Sequence, residues 1–231
     1  MRKTIELKRV VVTGLGMVTS LGLDVQSTWK AMVAGKSGID QITQWGDLDD
    51  IKEKYKLSAD FPLIAGEVKQ FDIKEIVKQR KQGFTKEDLK QIKYMDPFIQ
   101  YSYAATLEAI ADANVNLDDG EIDPYRIGVI IGSGLGGPKS WENEFHRFIT
   151  GKRVSPFLIP RLIPNLAAGN VSISFKAKGA NADQMRQITP GPSISAKTSS
   201  SPSLRMMPLP SPLAAQLTYV PDNSSYLLRL S

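Results

Sequence analysis

The chain changes its chemistry at Asn181, and that break limits what can fold. Residues 182–231 hold seven of the fourteen prolines and ten serines, with Gly191 as their single glycine. A stretch of this kind, with no glutamate, histidine or tryptophan, is low in complexity and does not build a packed core. The other seventeen glycines fall in residues 1–181, singly or in pairs at the ends of apolar runs, where turns need them. The expected organisation is one α/β domain over 1–181 and a Ser/Pro-rich tail over 182–231, disordered or out of frame.

Charge and cysteine usage then remove several classes of function. The formal net charge of +5 is modest for 231 residues and spread along the chain, whereas nucleic-acid binding needs a concentrated basic face. The sequence contains no cysteine, which excludes disulfides, thiolate metal sites and thiol nucleophiles. Met1-Arg2-Lys3 followed by Val10-Val11-Val12 has the start of a secretory signal, but charges continue through Glu6, Lys8 and Arg9, and Gly14, Gly16 and Gly22 interrupt the apolar stretch. No run approaches the roughly 18 apolar residues of a membrane span. The expectation is a soluble, cytoplasmic protein with no nucleic-acid or membrane partner.

Apolar spacing gives the elements. Arg9 to Thr13 reads as a buried strand closed by Gly14 and Gly16, and Val25 to Ala34 as a helix with Val25, Trp29, Met32 and Val33 on one face and Gly35 at its C-terminal end. Glu67-Val68 is the expected strand of the charged region 40–94, and Ile73 to Lys81 and Lys86 to Lys93 are its helices. Asp96-Pro97 is a strong helix start, and Ile99, Tyr103, Leu107 and Ile110 carry a core face to about Ala113, with small alanines between them that allow close approach. Arg126 to Ile131 is a second buried strand, Trp141 to Ile149 a helix, and Asn165 to Phe175 a further apolar segment. Strands alternating with helices imply a parallel sheet.

Three motifs are weighed against simpler readings. Gly132, Gly134 and Gly137 fit the dinucleotide pattern GxGxxG between a strand and a helix, but no acidic residue for the ribose follows about 20 positions on, so no nucleotide cofactor is expected. His146 is the only histidine, and one imidazole without cysteine does not make a zinc centre; no metal site is expected. Seven basic residues lie between Lys74 and Lys93 (Lys74, Lys78, Arg80, Lys81, Lys86, Lys90 and Lys93) against Glu75, Glu87 and Asp88, a run that is ordinarily a solvated face.

Several segments together resemble the β-ketoacyl-acyl-carrier-protein synthases, most closely the elongating condensing enzymes of bacterial fatty acid synthesis. The matching stretches are Arg9-Val10-Val11-Val12-Thr13-Gly14-Leu15-Gly16-Met17-Val18-Thr19, Gly35-Lys36-Ser37-Gly38-Ile39 and Met95-Asp96-Pro97-Phe98-Ile99-Gln100-Tyr101. Arg126-Ile127-Gly128-Val129 follows, with Gly132-Ser133-Gly134-Leu135-Gly136-Gly137, then Arg153 to Pro160, Asn165 to Gly169 and Lys178-Gly179-Ala180-Asn181. The resemblance implies the N-terminal half of a thiolase-like layered α/β fold, a homodimer in the intact enzyme, and acyl carrier protein as partner, with Lys86, Lys90 and Lys93 facing it.

The family's reaction is a decarboxylative Claisen condensation, in which a cysteine holds the acyl chain as a thioester and a malonyl thioester loses carbon dioxide to become the attacking carbanion. Two histidines and a lysine assist. The family's cysteine follows shortly after the segment matched by Lys178 to Asn181, and here the match stops. None of the four catalytic groups carries over, so no catalytic residue is assigned. The resemblance therefore implies an acyltransferase scaffold whose remaining sequence is lost at about Asn181, inactive as it stands, with a non-catalytic carrier-binding or dimerising relative as the alternative. A half-fold with uncovered apolar faces, including part of the helix starting at Pro97, is expected to aggregate.

Overall fold

The computed structural model describes residues 11–81, 84–117, 119–184, 213–220 and 225–230. Its organising element is the helix α5 (Pro97–Asp112), which begins where Asp96 and Pro97 place it: the Asp96 side chain accepts from the Phe98 amide and proline occupies the first turn. Ile99, Tyr103 and Leu107 are buried as their spacing predicts, and each contributes about 1.5–3 kcal/mol by leaving water. Ile110, expected on the same face, is only half-buried. Exposed apolar side chains occur on other elements, among them Trp29, Met32 and Val33 and Trp141, Phe145 and Phe148.

Strand β1 (Val11–Val18) passes directly over α5. A Cβ at Gly14 would lie 2.0 Å from the Ala109 carbonyl oxygen, and one at Gly16 would lie 2.0 Å from that of Ala105. The glycines that sequence reasoning placed after the strand therefore lie inside it, because strand backbone meets helix backbone there and no side chain fits. β1 is also half-exposed rather than buried, with Val11 and Val12 in contact with solvent. Arg9 and Val10 lie outside the described residues.

Two carboxylates of α5 then satisfy amides along β1. Asp112 Oδ2 accepts from Leu15 N at 2.9 Å, and Glu108 Oε2 accepts from Met17 N at 3.0 Å. Glu108 Oε1 also accepts from Val25 N at 2.8 Å, at the start of α1 (Val25–Val33), and Arg80 approaches Glu108 at 3.4 Å. Burial pushes the Glu108 carboxyl above the ordinary glutamate range, while the Val25 and Met17 amides and the Arg80 charge pull the other way. α1 ends near Gly35 as expected, but it buries Thr28 and Ala31 and leaves Trp29, Met32 and Val33 exposed.

The region after α1 holds the two-stranded sheet of β2 (Asp40–Gln41) and β3 (Ile64–Ala65), with α2 (Leu48–Lys54) between them. β3 lies three residues before the expected Glu67-Val68, and the Glu67 carboxylate accepts from Thr43 and Gln44 just beyond the paired residues. The helices α3 (Ile73–Arg80) and α4 (Lys86–Ile92) follow as predicted. Beyond α5 come β4 (Ile127–Gly132), α6 (Pro138–Ile149), α7 (Leu158–Leu162), α8 (Leu166–Ser174) and β5 (Asn181–Gln184).

The main sheet is mixed rather than parallel. Its order is β1, β6, β7, β4, β5, where β6 is Leu213–Val220 and β7 is Ser225–Leu230. β4 is parallel to β5 and β7, while β6 is antiparallel to both β1 and β7. α5 and α8 pack together over this sheet. Both β6 and β7 fall within the Ser/Pro-rich tail. Averaging composition over fifty residues hid two apolar runs, LAAQLTYV and SYLLRL, that contain no proline.

Because the seam has no space for a methyl group, Gly16→Ala should cost about 1–3 kcal/mol or more through strain, read as a lowered urea midpoint at unchanged slope. An unchanged midpoint would contradict the close approach.

Candidate functional site

The seven-residue basic run divides on inspection of its partners. Arg80 belongs to Glu108, Lys78 pairs with Glu75 at 2.6 Å, and Lys90 lies 3.5 Å from Glu87. Lys81 pairs with Asp88, which is buried and also accepts from the Thr85 amide and hydroxyl, closing a capping box at the start of α4. Among the described residues, Lys74, Lys86 and Lys93 have no ion pair.

Burial opposes ionisation of Asp88 but is outweighed by the hydrogen bonds from Lys81 and Thr85, which hold its carboxyl below the ordinary aspartate range. Burial likewise opposes the charge on Lys81, and contacts to Asp88 and the Tyr103 hydroxyl raise it above the ordinary lysine range. Lys81 and Asp88 thus tie the end of α3 and the start of α4 to α5, a structural role.

Lys86, Lys90 and Lys93 are all exposed, and their spacing of four and three places them within an arc of about 60° on α4 and its C-cap. The structure therefore brings the three predicted residues to one face. It adds one cation that sequence reasoning missed: Arg161 on α7 donates from Nη2 to the Lys93 carbonyl at 3.2 Å and lies 5.7 Å from the Tyr94 ring. No local signal joins positions 68 apart in sequence. Beside this face, between the starts of α3 and α5 and the end of α4, opens a groove of about 600 Å³ lined by Phe71, Lys74, Leu89, Ile92, Lys93 and Gln100.

The glycine loop after β4 is built for packing. A Cβ at Gly137 would meet the Arg161 carbonyl at 2.1 Å and the Asp96 carboxyl carbon at 3.0 Å. α6 has no side-chain cap of its own, and Asp96 Oδ2 accepts from the Ser140 amide in its first turn at 2.8 Å. One buried aspartate thus serves the N-termini of two helices, α5 and α6, and already occupies the position a phosphate would take at the second. His146 is exposed on α6, and no group of metal-ligating side chains occurs among the described residues.

The sequence resemblance ends where sites of parallel sheets lie. β5 runs beside β4 with Asn181 opposite Val129 and Gln184 opposite Gly132, so both strands finish at the glycine loop. Asn181 Nδ2 donates to Ser172 Oγ at 2.7 Å, fixing the start of β5 to α8.

Residues 7–183 match the model of the β-ketoacyl synthase N-terminal domain, and the chain belongs to that family. It is 41% identical over 177 residues to a 3-oxoacyl-[acyl-carrier-protein] synthase 2 of Staphylococcus aureus strain N315, covering 75% of this chain and 37% of the relative. A 3-oxoacyl-[acyl-carrier-protein] synthase 2 of Coxiella burnetii is 35% identical over 189 residues, covering 80% and 40%. The chain thus spans well under half the length of these relatives. Among solved structures, a β-ketoacyl synthase from Burkholderia phymatum STM815 superposes with a TM-score of 0.56 at 23% identity, over 77% of this chain and 40% of the other. A type II polyketide ketosynthase solved with its acyl-carrier protein gives 0.51 at 19% identity, over 77% and 41%. The fold is the N-terminal half of the thiolase-like α/β fold. No helix among the described residues is long and apolar enough to cross a membrane.

Asp88 is ionised more easily in the folded protein than in the unfolded chain, so its contribution is present at neutral pH and fades as pH falls through its folded value. The stability gap between wild type and Asp88→Asn should be about 1–3 kcal/mol at neutral pH and shrink in acid. Urea titrations at neutral pH and near pH 3 (about one unit below the ordinary aspartate value) measure it, and a constant gap would contradict the assignment.

Proposed function

We propose that this chain carries the carrier-protein-docking scaffold of a fatty-acid condensing enzyme without performing the condensation. The observation that carries the reading is chemical. The family-matched segment ends at residue 183, beside the glycine loop, and the whole sequence offers no cysteine to hold an acyl chain as a thioester. In a worked protease, loss of the nucleophile costs about six decades of rate, so a chain lacking this thiol should show no measurable turnover. The substrate class is an acyl group presented on an acidic carrier protein in the cytoplasm.

Docking is assigned to Lys86, Lys90 and Lys93. Their exposure, their common face and, among the described residues, the absence of an ion pair at Lys86 and Lys93 support this, because such cations keep their charge available to an acidic partner. The related ketosynthase solved with an acyl-carrier protein supports the partner class. As in the intact family enzyme, the reading includes self-association, and the exposed apolar residues of α1 and α6 offer surface for it.

Titration of acidic acyl carrier protein against the full chain should show binding that weakens steeply with added salt and falls about tenfold or more in Lys86→Glu/Lys90→Glu/Lys93→Glu. Incubation with acyl- and malonyl-carrier protein should give no condensed product by mass spectrometry. Binding that is indifferent to the triple change sinks the docking face, and condensed product from the chain alone sinks the reading as a whole.

A further inference from the structure

The family-matched segment, residues 7–183, contributes β1, β4 and β5 to the main sheet, yet β1 touches neither of the other two. The space between β1 and β4 is filled entirely by strands from outside that segment. β6 pairs with β1 from Val11↔Tyr219 to Val18↔Leu213, β7 pairs with β4 from Ile127↔Tyr226 to Ile131↔Leu230, and the two pair with each other up to Val220↔Ser225. At about 4.8 Å per strand, β1 and β4 stand roughly 14 Å apart, too far to pair without an insert.

We propose that β6 and β7 are a strand donor carried within the chain: an antiparallel hairpin pair that fills the two vacant central positions of this half-sheet and makes the family-matched segment a closed folded unit. The backbone requirement on both sides is met. Without the hairpin, β1 would present an unpaired edge toward β4, and β4 one toward β1, and free edges of this kind recruit other chains. The prolines agree with the placement. Six of the seven in the tail precede Leu213 and the seventh, Pro221, follows Val220, so neither strand carries a residue that would break a central ladder. α5 reaches across β1 to β6 and β7, so the helix that organises the family-matched part also covers the inserted strands. This proposal is independent of carrier docking and of catalysis.

The absence of native cysteine makes a direct test clean, because an engineered pair has no competing thiol. Leu15 donates its amide to Asp112, away from β6, so Leu15 and Gln216 form a non-hydrogen-bonded cross-strand pair with the short Cα separation a disulfide accepts. In the full chain, Leu15→Cys/Gln216→Cys should form an intrachain disulfide under mild oxidation, detected by mass spectrometry. Leu15→Cys/Leu228→Cys, whose strands are not neighbours, should not. In a separate variant, Leu228→Pro on β7 should speed amide exchange at Ile130 by about tenfold or more relative to wild type, since the Val129 amide is bonded to Ala180 and the Ile130 amide therefore faces β7. Free thiols in the first pair, equal cross-linking in both pairs, or unchanged exchange in the proline variant would each overturn the proposal.

Discussion

Everything in this structure depends on backbone meeting backbone where β1 crosses α5. Gly14 and Gly16 on the strand and Ala105 and Ala109 on the helix leave so little volume that the two elements are set in one relative position. Glu108 and Asp112 then hold that position by accepting the strand's Leu15 and Met17 amides. The contact sets the plane of the sheet, and Glu108 extends the same hold to α1 and α3 through Val25 and Arg80. A half-buried carboxylate such as Glu108, with three partners of this kind, is destabilising alone and stabilising in company, which makes the cluster cooperative.

The same economy governs the far end of α5. Asp96 caps its own helix and the first turn of α6, so the glycine loop between β4 and α6 is pulled against α7. Gly137, the last glycine of the nucleotide-like motif, therefore answers to a neighbouring carbonyl and a carboxylate, whereas a Cβ at Gly134 would meet open space. Charge in the region 74–93 divides in a comparable way. Arg80 and Lys81 turn inward and build the helix layer, and Lys86 and Lys90 on α4 face solvent. Counting charge along the sequence mixes these two roles, and only burial separates them.

What the sequence showed and what it hid follow the range of the forces involved. α3, α4, α5 and β4 were legible because caps, periodicity and apolar runs act within a few residues. The glycines of β1 were misread because their cause, the helix 90 residues away, is not local. Trp29, Met32 and Val33 share a face of α1 and are exposed there; periodicity marks an apolar stripe without saying what covers it. Lys86, Lys90 and Lys93 share one face of α4 and its C-cap because their spacing of four and three is helical, whereas Arg161 is joined to them by tertiary folding. The tail was read as uniform because its serine and proline content dominates an average, and two proline-free runs inside it pair with the sheet.

The central claim, that β1 and α5 form one cooperative unit through the glycine seam and the carboxylates of Glu108 and Asp112, is tested most directly by native-state hydrogen exchange on the full chain. The amides of Leu15 and Met17 should be as strongly protected as those in the middle of α5 and should open with them as denaturant rises. Rapid exchange at Leu15 and Met17 while α5 remains protected would contradict it.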